Sequence, residues 1–83
     1  MVVQASVITQ AGVTFAIMVV REYVIDNPSV RGATLQAAMS FFGVPAVLLS
    51  DRRHRTFGRP DIVRFLTGVA ISQIPWRRYT VNG

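Results

Sequence analysis

The chain has no cysteine and no lysine. Without cysteine it can form no disulfide, thiol nucleophile, iron–sulfur cluster or zinc–thiolate site. The same absence leaves the redox compartment open. All nine basic residues are arginine, and against Glu22, Asp26, Asp51 and Asp61 they leave a net charge of +5. Anionic partners are therefore electrostatically permitted. His54 is the only histidine. A general base needs a positioned partner, and beyond the neighbouring Asp51 nothing completes a triad, so His54 reads as a surface residue. Nucleophile-elbow, Walker and dinucleotide motifs are missing. So are helix-turn-helix, RNP-type and zinc-finger patterns. No catalytic, cofactor-binding or metal residue is assigned, and the chain is read as no enzyme.

Charge is also absent from residues 2–20 and 32–50. Each stretch approaches the length that spans a bilayer. Polar residues interrupt both, however, and turn residues fall mid-span at Gly12 and at Gly43-Val44-Pro45. These segments are expected inside a folded domain, not in a membrane. No basic residue precedes the first of them, so no secretory signal is expected, and the chain is placed in the cytoplasm.

What is present is apolar: 51% of 83 residues. A single domain of this size buries only about 60–65% of the surface its unfolded chain exposes. Some apolar surface is then left over after folding, which favours a homo-oligomer, in its simplest form a dimer.

The densest apolar stretch is Val13 to Asp26. Its centre, Phe15 to Val20, is an unbroken run rich in β-branched residues, as a strand reads when both of its faces are covered. It is expected to be the central strand, closed by the Asn27-Pro28 turn signal. Val2 to Thr9 alternates in part and predicts a strand with one wet face, joined to the central one through Ala11-Gly12 as an antiparallel hairpin. An N-terminal arm that pairs with another subunit is the alternative. Asn27 or Ser29 caps a helix to about Phe42, with Pro28 in its first turn and Gly43 at its end. Val44 to Ser50 predicts a second buried strand. Residues 51–55 form a charged turn, and Thr56-Phe57 begins a short returning strand. Pro60-Asp61 opens a second helix that ends near Gly68. Pro75 bars a regular helix in the tail, whose last residues, 78–81, suit a short edge strand.

This order of elements resembles the second half of a thioredoxin-like domain. The residues that carry the likeness are Val24-Ile25-Asp26-Asn27-Pro28, then Gly43-Val44-Pro45-Ala46-Val47-Leu48-Leu49, then Phe57-Gly58 into the last helix. The resemblance implies a cis Val44–Pro45 bond. It implies no redox activity, because the Cys-x-x-Cys unit has no counterpart and no site residue carries over. A ferredoxin-like βαββαβ arrangement fits the same elements. The two differ chiefly in whether strand 44–50 runs parallel or antiparallel to the central strand. The expected fold is thus α+β: a two-layer sandwich of a mixed four- or five-stranded sheet and two helices.

Two clusters could carry binding: Arg52, Arg53 and Arg55, and Trp76, Arg77 and Arg78. Arginine beside aromatic rings suits phosphate contact and base stacking, if both clusters share one edge. Otherwise they are a solvated turn that blunts strand edges and a tail whose Trp76 packs. Glu22 and Asp26, four apart and on one strand face with Val24 between them, are each expected to pair with an arginine or with water. Gly58-Arg59-Pro60-Asp61 is no phosphate loop, since Pro60 removes an amide donor and Asp61 repels anions. The function expected is a self-associating, non-enzymatic interaction module; the alternative is nucleic-acid or polyanion binding through the arginine-rich turn and tail.

Overall fold

A computed structural model describes residues 2–81. The chain begins with a hairpin of β1 (Val2–Gln10) and β2 (Val13–Val20). Ala11 and Gly12 turn it with φ of +53° and +79°, the pair of left-handed residues that a type I′ turn requires. The expected hairpin is therefore present. The central strand is shorter than expected: it stops at Val20, and Glu22–Asp26 forms a short helix, α1. Val24 and Ile25 are consecutive and both buried. An extended chain would send them to opposite faces, whereas a helix turns both toward the core.

Helix α2 (Pro28–Phe42) starts where expected: the Asn27 carbonyl side chain accepts from Val30 N at 3.3 Å, and Pro28 sits in the first turn. Gly43 ends it, donating its N–H to Met39 O at 2.8 Å. The helix carries the chain across to β3 (Ala46–Ser50), which lies beside β2 and parallel to it, with Ala16 opposite Ala46 and Val20 opposite Ser50. The open question of direction is thus resolved as parallel. The Val44–Pro45 bond is trans, contrary to the cis form that the resemblance implied.

β4 (Thr56–Gly58) returns antiparallel to β3, α3 (Pro60–Thr67) follows, and a short 3₁₀ helix spans Ile71–Gln73. β5 (Arg77–Thr80) then pairs antiparallel with the start of β1. The sheet has five strands in the order β4-β3-β2-β1-β5. Gly58 permits the close approach of β4: a Cβ there would stand 2.7 Å from Val47 Cγ2 and 3.0 Å from Ala46 O.

The α+β class, the mixed sheet and the two main helices are those expected. The layering differs. Ala16, Met18, Val20, Ala46 and Leu48 pack with Val24, Ile25 and Ala38 on the side of α1 and α2. Phe15, Ile17, Val47 and Leu49 face the other way, against Ile62 and Leu66 of α3 and Ile74. The helices therefore cover both faces, giving helix, sheet and helix layers in place of a two-layer sandwich. The cause is the composition of β2 and β3, which are apolar on both faces and need cover on both. No helix among the described residues is long and apolar enough to cross a membrane.

Candidate functional site: a charged clamp and an open strand edge

β2 and β3 end side by side at Val20 and Ser50. Asp51 N donates to Val20 O at 2.8 Å, fixing the start of the charged turn against the exit of β2. α1 then holds the rest of that turn. Glu22 and Asp26 lie one helical turn apart and so share a face. Glu22 Oε1 accepts from the backbone N–H of Arg53 at 2.7 Å. The Arg55 guanidinium donates to Asp26 Oδ1 at 2.5 Å and lies 3.5 Å from Glu22 Oε2. Ser50, fully buried, accepts from Arg55 N at 2.8 Å. The Ser50 hydroxyl and the Arg53 amide stabilise the Glu22 carboxylate and hold it below the ordinary carboxylate range, with partial burial opposing them and the Arg55 and Arg53 charges adding to them.

The expected pairing of Glu22 and Asp26 with an arginine is therefore realised, though on a helix and not along a strand. It also removes Arg55 from the candidate binding set. Arg52 and Arg53 remain exposed and make no ion pair among the described residues. They border a half-open cleft of about 420 Å³ with Arg21, Glu22, Asp26 and Asp51. Three arginines and three carboxylates line it, and two of the carboxylates, Glu22 and Asp26, are already held by Arg55. Tyr23, 63% exposed, stands at its rim. No group of three or more metal-ligating side chains occurs among the described residues.

Arg77 and Arg78 do not join this cluster. They belong to β5, separated from β3 by β2 and β1, roughly 14 Å at ordinary strand spacing. They also point to opposite faces: Arg77 pairs in register with Ala5 and Arg78 with Gln4. Trp76 is half-buried against the α3-side core, and its Nε1 donates to Ile71 O at 3.0 Å, so it packs as a structural residue. His54 is exposed and, with Trp76, Gln4 and Ser50, borders a shallow cleft of about 150 Å³. At the start of α3, Arg59 pairs with Asp61 at 2.6 Å and Asp61 accepts from Ile62 N. The Arg59 guanidinium holds the Asp61 carboxyl below its usual range, partial burial opposing it.

A second feature has no charge at all. β5 pairs only with Val2–Ala5. Trp76 N donates to Ile74 O in a tight turn about Pro75, so the preceding chain leaves the line of β5 and packs on the α3 side of the sheet. The outer edge of β1 from Ser6 to Gln10 therefore pairs with no strand among the described residues. Val7 on this stretch is 41% exposed. Ser6 is only 2% exposed, yet its Oγ has no hydrogen-bond partner among the described residues.

Three positions were hidden in the sequence. Arg21 and Tyr23 lay inside what reads as one long strand, although Glu22 and Asp26 at helical spacing around Val24-Ile25 signalled the change. Ser6 read as part of a wet strand face; nothing local to it indicates that the fold buries it. No family model, curated protein or solved structure matches the chain.

Proposed function

We propose that this chain is a cytoplasmic, non-enzymatic interaction module that works as a homo-oligomer. The observation that carries the proposal is the open, uncharged edge of β1 at Ser6–Gln10. Natural sheets blunt their edges with charge, proline, bulges or very short strands. β4 is three residues long, and β5 carries Arg77 and Arg78. Ser6-Val7-Ile8-Thr9-Gln10 has none of these devices. The exposed Phe41 and Val7, 43% and 41%, add apolar surface that association would cover. A non-enzymatic role is supported by the use of Glu22, Asp26, Arg55 and Ser50 on one another, which leaves no free acid–base pair in that cluster. Light scattering at micromolar concentration tests the proposal: a mass above that of the 9.2 kDa chain is expected, and a clean monomer overturns it.

A second reading, polyanion binding, is favoured by one observation: Arg52 and Arg53 are exposed, make no ion pair among the described residues and border the same cleft as the exposed Tyr23. Binding of this kind weakens with salt by a log–log slope of about −0.9 per phosphate contact on duplex DNA. Titration of single-stranded and duplex DNA at two salt concentrations tests it. The absence of salt-sensitive binding, or binding unchanged in Arg52→Ala/Arg53→Ala, overturns it.

A further inference from the structure

We infer that the occupant of the β1 edge is the β1 edge of a second copy, paired antiparallel about a two-fold axis at Ile8. The inference rests on the self-association proposed above and names its surface and register. The backbone selects this register. In a two-residue hairpin the residues flanking the turn, Gln10 and Val13, form a hydrogen-bonded pair. Alternation then turns the N–H and C=O groups of Gln10, Ile8 and Ser6 toward β2, and those of Thr9 and Val7 outward. On the free stretch, Val7 and Thr9 are thus the residues with unpaired ladder groups. Antiparallel pairing of Val7 with Thr9 of the second copy, and of Thr9 with Val7 of the second copy, satisfies all of them. The two Ile8 residues then meet as a non-hydrogen-bonded pair on the axis. A two-fold contact must be self-complementary in this way.

Three further observations favour a second copy over an unrelated strand. Residues 2–20 carry no charge, so two copies of a chain with net charge +5 meet here without placing like charges opposite one another. The free length also fits: β5 covers Val2–Ala5, and a five-residue segment centred on Ile8 fills Ser6–Gln10. Finally, the register sets Gln10 of the second copy opposite Ser6, on the same face of the joined sheet. Its side-chain amide supplies the hydrogen bond that the buried Ser6 Oγ lacks within one chain. The result is one continuous sheet through both copies, with α2 of each on one side and α3 of each on the other.

The absence of cysteine makes the test free of background. Ile8→Cys places two thiols as a directly opposed non-hydrogen-bonded pair, whose Cβ separation of about 4.5–5.5 Å relaxes readily to the disulfide range. Mild oxidation is expected to give a reducible covalent dimer at least tenfold faster than Gln36→Cys, which is exposed on α2. Val7→Lys, at an exposed position, is expected to weaken association at least tenfold with an unchanged circular dichroism spectrum. The two measurements separate the ideas. A monomer by light scattering overturns both the pairing and the self-association it rests on. A dimer whose Ile8→Cys variant cross-links no faster than Gln36→Cys, or whose Val7→Lys variant dissociates no more readily, overturns the β1 pairing and leaves self-association standing. If Ile8→Cys fails to fold, Val7→Lys decides alone.

Discussion

The turn at residues 51–55 and the edge at residues 6–10 are opposites. The turn is the most charged segment of the chain, and the edge belongs to its longest uncharged beginning. The turn is largely satisfied from within: Glu22 holds the Arg53 amide, Ser50 holds the Arg55 amide, and Asp26 and Glu22 hold the Arg55 guanidinium. The edge keeps unpaired backbone groups and an unpartnered Ser6 hydroxyl. Charge density therefore marks the self-contained region, and the quiet sequence marks the region with unused bonding capacity. A backbone donor or acceptor left without a partner is a stronger invitation than an arginine already beside a carboxylate, because its bonding requirement must be met from outside.

Four substitutions probe this contrast. Gly58→Ala has the largest expected effect. Its Cβ would meet Val47 Cγ2 and the Ala46 carbonyl, and overpacking of this kind costs about 2–3 kcal/mol. Thermal denaturation should show a fall in Tm on the order of 10–20 °C, marking the β4 side of the sheet as closed and tightly packed. Ser50→Ala comes next. It removes a fully buried hydroxyl and leaves the Arg55 amide without its acceptor, for a loss of about 1–3 kcal/mol by urea denaturation. Light scattering on Ser50→Ala should give the mass of the parent chain, since the clamp lies away from the β1 edge; a loss of association would end the separation drawn between the two regions.

Glu22→Gln sharpens the same point through pH. The folded state holds the Glu22 carboxyl below its ordinary value, so the native form favours the ionised group. That stabilisation is fully present above the unfolded value, about 4.3, and is lost as pH falls through the lowered folded value. Urea midpoints should therefore decline on acidification below that value, and Glu22→Gln should flatten part of the decline. An identical acid profile in the variant would show that the clamp carboxylate is not the group that senses pH. The smallest expected effect is that of Arg52→Ala, an exposed residue with no ion pair among the described residues, at most about 0.5 kcal/mol in stability. A larger loss would mean that the free arginines of the turn are structural too.

Much of the local structure was legible. The Asn27-Pro28 start and Gly43 end of α2 follow from capping chemistry. Ala11-Gly12 announced the hairpin, and the almost wholly apolar Val44 to Ser50 announced a buried strand that runs in the structure from Ala46. The boundary at Val20 was missed because β-branched Val24 and Ile25 continue a strand-like composition. Only their contact with the α2-side core selects a helical turn there. The candidate site was legible by residue type and not by place. Arg52, Arg53 and Arg55 are indeed clustered, but which of them is neutralised depends on α1, roughly thirty residues away in sequence. That Arg77 and Arg78 lie across the sheet depends on strand order.

The sequence by itself determined the single α+β domain, the doubly apolar central strands, the helix ends and the absence of thiol chemistry. These follow from local rules: dihedral preference, capping and the period of apolar residues. Only the tertiary structure decided which helix covers which face, that β3 runs parallel to β2, that Arg55 is held by α1, and that the pairing of β5 along β1 stops at Ala5. Each of these is a long-range pairing between segments that carry no mark of one another in sequence. The open edge of β1 is the clearest case, since a free edge is a property of what lies beside a strand and not of the strand's own residues.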